Sequence, residues 1–314
     1  VHANAPTIAE DAVASPEIPH ISLAADDTSR LLRSMEVDAG GVRLNVAVGP
    51  GHGPPLVCIH GVGRSGRDFL PMLPGLVQNW QVLCPDLRGH GQSGRVPGQY
   101  LVCDYLRDIG GLLLQIGRPV VLFGHSLGAL LSLAAAARWP QCVRAVVAED
   151  PPSENYLTRI FDTTYAPLFR AMQRLAGTSQ SVAAVARELG NVVVSTAEGK
   201  PPVRLADVRD GASLRFSARC LRDLDGDVYT PILARRWMDG LDFPALLRGV
   251  ACPVMLLRGD EKQGGMLPRA DADALVERLA DGTLVEFPGT GHQIHWMDCG
   301  NVLRVMTAFL AAIE

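Results

Sequence analysis

Six short apolar runs, "PLVCIH" (55–60), "WQVLCPD" (80–86), "PVVLFG" (119–124), "VRAVVAED" (143–150), "CPVMLLRGD" (252–260) and "GTLVEFPG" (282–289), alternate with stretches of helical periodicity. Strands that are apolar almost throughout cannot show one face to water. Strung between helices, they specify a mostly parallel sheet covered on both faces. Ahead of them, Ser34–Asp38 and Val42–Val48 alternate around "AGG", the pattern of an antiparallel hairpin. Helices are predicted near 66–79, 99–116, 127–139, 270–281 and 296–313.

One interval breaks the rhythm. Residues 152–248 hold no comparable buried strand but contain amphipathic segments such as "RIFDTTYAPLFRAMQRLAG", "SVAAVARELG" and "ASLRFSARCLRDLD", with a small excess of basic residues. A helical insert after the sixth strand, at the carboxyl edge where open α/β sheets bind ligands, predicts a lid over a pocket. The expected organisation is a loosely ordered extension over 1–30, a core over 31–151 and 249–314, and a helical cap over 152–248. At 314 residues and 47% hydrophobic the chain can bury a large core.

The formal net charge of −4 comes with no basic run, so nucleic acid is not an expected partner. Nor is a membrane, because no apolar run reaches the length of a spanning helix. Seven cysteines, an odd number with no CxxC pair, read as free thiols in a reducing cytoplasm. The first twenty residues lack a basic segment followed by an apolar one, so no secretory signal is expected. Oligomeric state is not legible.

The chemistry sits in "PVVLFGHSLGALLSLAAAARWP", where a buried strand meets a helix through Gly124-His125-Ser126-Leu127-Gly128. Gly-x-Ser-x-Gly in that context is a nucleophile elbow, a strained turn that lifts the serine hydroxyl clear of the sheet. A hydroxyl needs an adjacent base, and the base needs a group to hold its tautomer. His292, in "FPGTGHQIHWMD" after the last strand, is the candidate base; His295 reads as structural or pocket-lining. Asp260, ending the strand "PVMLLRGD", is the favoured acid, with Asp150 and Glu261 as rivals. The amides of Val62 and Leu127 are candidate oxyanion donors. His60 reads as a brace for its loop, and Arg88 with Asp86 as an ion pair. No nucleotide loop, HExxH or Cys/His cluster points to a cofactor or metal.

Taken in order, "HGVGRSGRDF", "PDLRGHGQS", "GHSLGA" and "GTGHQIH" resemble the α/β-hydrolase superfamily over about residues 34–313. The chain also resembles the bacterial mono(2-ethylhexyl) phthalate hydrolases. That likeness implies a serine carboxylic-ester hydrolase that cleaves small aromatic esters, the monoalkyl phthalates, to phthalate and an alcohol through an acyl-enzyme. Many relatives place the acid three residues after the strand-ending glycine, where this chain has Lys262. A phthalate monoester carries a free carboxylate, for which Arg64, two residues past Val62, is the first candidate partner, with an exposed loop position or pairing to Asp68 as its other readings and Arg215 or Arg219 of the lid as alternatives. The alternatives are a carbon–carbon bond hydrolase of aromatic ring-cleavage products using the same triad, and a non-catalytic ligand receptor.

Overall fold

The computed structural model describes residues 32–50, 53–195 and 201–313; the expected N-terminal extension lies outside them. Eight strands form one sheet: β1 (Arg33–Asp38), β2 (Arg43–Val48), β3 (Pro55–Ile59), β4 (Gln81–Pro85), β5 (Val120–His125), β6 (Val143–Glu149), β9 (Val254–Gly259) and β10 (Gly282–Phe287). A separate pair, β7 (Val193–Ser195) and β8 (Val203–Arg204), lies between β6 and β9 in the chain. The order across the large sheet is β1-β2-β4-β3-β5-β6-β9-β10. The β1–β2 hairpin joins β4 antiparallel, and every other pairing is parallel. This is the α/β-hydrolase fold.

Two apolar layers account for the continuous strand runs. Val57, Ile59, Leu83 and Leu122 face one layer, together with the helices Val102–Ile116 and Leu127–Arg138. Their neighbours Leu56, Cys58, Val82, Val121 and Phe123 face the other, against Leu73–Leu76 and Cys299–Ala312. Successive side chains on a strand alternate faces, so a strand with both faces covered is apolar throughout.

The interval between β6 and β9 is mainly helical, with Tyr165–Leu175, Val182–Gly190 and Gly211–Arg222 as its longest helices. Ser181 and Asp210 cap the last two by accepting from Ala184 N and Ser213 N. The β7–β8 pair was not expected there, since strands of two and three residues carry no readable period. The helix expected over 66–79 is instead a 3-10 turn, Gly66–Phe69, followed by one short helix, Leu73–Leu76. No described helix is long and apolar enough to cross a membrane.

Candidate active site

Ser126 stands between β5 and the helix Leu127–Arg138 at φ 57° and ψ −115°, a conformation that non-glycine residues rarely adopt. Glycines on both sides make the turn possible. A Cβ on Gly128 would lie 1.9 Å from the Ile59 carbonyl oxygen, and one on Gly124 would lie 2.1 Å from that of Gly128. The Ser126 amide donates to the Glu149 carbonyl at 2.9 Å, which ties the elbow to the end of β6.

His292 follows β10 and is buried beside the elbow, its ring centroid 4.6 Å from that of His125. Its Nδ1 lies 2.7 Å from Asp150 Oδ2. A carboxylate accepts, so Nδ1 carries the proton and Nε2 is left with its lone pair, the tautomer that a general base requires. Asp150 has no exposure and sits at φ 43° just past β6. Its other bonds come from backbone: Gly259 N donates to Oδ1 at 3.1 Å and Met266 N to Oδ2 at 2.7 Å.

This arrangement corrects the assignment of the acid to Asp260. Asp260 caps the turn Glu261–Gln263, accepting from Lys262 N at 2.9 Å and from Gly289 N at 3.2 Å. Those two amides hold its carboxyl below the ordinary range, and it makes no bond to His292. The reason is the sheet order. β6 lies between β5 and β9, so the carboxylate ending β6 is next to the elbow, and β9 contributes the Gly259 amide instead of a side chain. Glu261 pairs with Arg258 and likewise makes no bond to the histidine.

Val62 and Leu127 lie where oxyanion donors are expected, and among the described residues neither amide is used by the surrounding backbone. Gly61 lets the loop approach: a Cβ there would meet Ser126 Cβ at 3.1 Å. Two neutral histidines brace the same loop. His60 Nδ1 donates to the Gly61 carbonyl while Nε2 accepts from Leu87 N at 3.0 Å. His90 Nδ1 donates to the Arg88 carbonyl while Nε2 accepts from Gly63 N at 3.0 Å. Burial lowers their pKa values to about 4 and about 3. Arg88 pairs with Asp108 through two 2.6 Å bonds, not with Asp86, which instead accepts from Gly66 N, Gln92 N and Asn45.

Ser126 and His292 line a cavity of about 60 Å³ that is covered by Tyr165, Leu168, Phe169 and Met172 of one insertion helix. It has room for about four waters. A wider space of about 600 Å³ adjoins it, and Tyr165, Leu168, Arg209 and His292 line both. Arg64 reaches the inner cavity with its guanidinium already engaged: Nε donates to Asp68 at 2.9 Å and one terminal nitrogen to Ser217 at 2.8 Å. Phe216 and Trp296 lie against it, with ring centroids 4.5 and 5.3 Å from the guanidinium carbon. Arg209, which the sequence reading did not single out, is half-buried, bonds to Gln293, and has no carboxylate partner among the described residues. Burial depresses its pKa from the usual arginine value.

The Alpha/beta hydrolase family matches residues 56–303. The chain is 30% identical to the 2-(acetamidomethylene)succinate hydrolase of Mesorhizobium japonicum, over 93% of this chain and 100% of that protein. It is 28% identical to the 2-hydroxymuconate semialdehyde hydrolase of Pseudomonas sp. strain CF600, over 89% of this chain and 94% of that one. The crystal structure of E-2-(acetamidomethylene)succinate hydrolase superposes with a TM-score of 0.72 at 26% identity, over 89% of this chain and 99% of that chain. With its fold, its elbow and these relatives, the chain belongs to the alpha/beta hydrolase family.

Proposed function

We propose that the chain is a serine-type hydrolase of small open-chain acids, and that it cleaves a carbon–carbon bond in products of aromatic ring cleavage. Arg209 carries this reading: it is a half-buried cation beside the inner cavity, with no carboxylate partner in the described fold. An arginine so placed favours a ligand that brings its own carboxylate. The two named relatives are hydrolases of carboxylate-bearing open-chain molecules, which supports the same class. Arg64, the cation expected to meet a phthalate carboxylate, is already held by Asp68 and Ser217, and the named relatives are not phthalate esterases. Both points weigh against the phthalate monoester expected from the sequence.

In this reading Ser126 attacks the carbonyl beside the scissile bond as His292 takes its proton. The Val62 and Leu127 amides receive the developing oxyanion. The electron pair of the breaking bond leaves with the departing carbon, His292 returns the proton there, and water then releases the acyl group from Ser126. Asp150 keeps His292 in the required tautomer throughout. The insertion acts as a cap that excludes water and opens to admit substrate.

The test is turnover of 2-hydroxymuconate semialdehyde, followed by loss of its conjugated absorbance, against mono(2-ethylhexyl) phthalate under the same conditions. The ring-cleavage acid is expected to have the higher kcat/KM. A higher value for the phthalate monoester refutes the proposal.

A further inference from the structure

A second acid–histidine pair lies beside the triad and has no part in the proton transfers above. Glu149 immediately precedes Asp150, and His295 is three residues past His292. Both are fully buried. His295 Nδ1 lies 2.8 and 2.9 Å from the two Glu149 carboxylate oxygens, and its backbone amide donates to the same group at 3.1 Å. The Glu149 backbone carbonyl takes the amide of Ser126 at 2.9 Å. A single residue thus holds the nucleophile through its main chain and the base segment through its side chain.

The far side of His295 continues the chain of charges. Its Nε2 faces Asp68 Oδ2 at 3.7 Å, and Asp68 Oδ1 accepts from Arg64 Nε and, at 2.7 Å, from Trp296 Nε1. Arg64 is two residues past Val62, on the oxyanion loop. Phe69 stacks on the His295 ring with centroids 5.3 Å apart, and His125 and Phe123 pack at 5.0 and 6.3 Å. His125 is kept neutral, since burial and the neighbouring histidines lower its pKa well below the ordinary value. Its Nε2 donates to the His292 carbonyl at 2.9 Å. Burial alone would discharge His295, but Glu149 and Asp68 outweigh it and raise its pKa to about 9. Two cations, Arg64 and His295, and two anions, Asp68 and Glu149, therefore balance in a buried site. Buried charge is tolerated on those terms, and removing one member leaves its partner uncompensated.

We propose that Glu149 and His295 are positioning residues of the reaction, which hold the His292 segment against the elbow, with Asp68 and Arg64 extending the hold to the oxyanion loop. The proposal rests on the reading of Ser126, His292 and Asp150 as the reacting triad. Asp150 meets the His292 ring, whereas Glu149 fixes the backbone that carries it. Displacement of a reacting group by about 1 Å costs on the order of 10²-fold in rate.

The test compares wild type with Glu149→Gln and His295→Gln in hydrolysis of p-nitrophenyl acetate. Active sites are counted in each sample by stoichiometric labelling with a fluorophosphonate. The expected result is a fall of about 10²-fold in kcat per labelled site with KM unchanged. A purely structural role predicts fewer labelled sites, each turning over at the wild-type rate, and that result overturns the proposal. If either variant does not fold, Asp68→Asn supplies the test, since it leaves the Glu149–His295 bonds in place. A smaller fall in kcat per site supports the proposal, and an unchanged kcat overturns it. Wild-type protein that takes no label refutes the triad reading instead, so the two failures are distinguishable.

Discussion

Replacing Asp150 with Asn changes one atom and sets two groups at odds with their surroundings. If the amide nitrogen takes the Oδ2 position, it meets the donors His292 Nδ1 and Met266 N, both now at 2.7 Å. The imidazole must then turn to the wrong tautomer or lose its orienting bond. If the nitrogen takes the Oδ1 position, it opposes the Gly259 amide at 3.1 Å, and a neutral oxygen faces the histidine. Either way a buried donor loses its acceptor, at about 1–3 kcal/mol of stability. The rate should suffer more. Loss of the orienting carboxylate costs about 10⁴ in kcat in a serine-protease triad, equivalent to about 5.4 kcal/mol of barrier. The assay is kcat for p-nitrophenyl acetate on Asp150→Asn and Asp260→Asn, with thermal unfolding of each. Asp260 is half-buried and makes no bond to His292, so its variant should keep the wild-type rate and lose at most the stability that a cap contributes, about 0.5–2 kcal/mol. Near-normal turnover by Asp150→Asn, or collapse of Asp260→Asn, refutes the assignment.

Other outcomes follow from the same geometry. Gly128→Ala should fail to accumulate as folded protein, because its Cβ would lie 1.9 Å from backbone oxygen; expression and circular dichroism check this. Arg209→Ala should raise KM for 2-hydroxymuconate semialdehyde about tenfold or more with a smaller effect on p-nitrophenyl acetate, consistent with loss of a charge-assisted contact worth about 1.5–3 kcal/mol. Arg64→Ala should lower the thermal midpoint and impair both substrates alike, since it strands Asp68. Stability should peak near neutral pH. His60 and His90 have folded pKa values below the unfolded 6.5, so their contribution is complete above 6.5 and is lost as pH falls toward 4 and 3. His295, raised to about 9, contributes fully below 6.5 and loses that contribution as pH rises through 9. Thermal midpoints measured from pH 4 to pH 10 test both limbs, and a midpoint rising steadily in one direction contradicts them.

What the sequence made legible is what short stretches of chain decide. Ser126 is visible because the elbow is local: strand, glycine, serine, glycine and helix are contiguous. The sheet is visible because both faces of β3, β5 and β6 are covered, which writes continuous apolar runs into the chain. The acid is a different kind of fact. Asp150 and Asp260 both end apolar strands, and only the lateral order β5-β6-β9 decides which carboxylate meets His292. The left-handed backbone at Asp150, which turns it inward, has no signature in residue type. Arg88 likewise bonds Asp108 twenty residues away in preference to Asp86. Arg209 was missed because the facing of helices and turns in the insertion follows from packing against the core. His295 shows the converse: its place beside His292 was plain, and its bond to Glu149 required the fold.

The claim on which the rest depends is that Ser126 is the nucleophile, and covalent labelling reads it most directly. Folded wild-type protein treated with a fluorophosphonate, digested and mapped by mass spectrometry should carry one adduct, on Ser126. Folded Ser126→Ala protein should carry none and should lose hydrolysis of p-nitrophenyl acetate. Wild-type protein that stays unlabelled, or Ser126→Ala protein labelled to the same extent, contradicts the account.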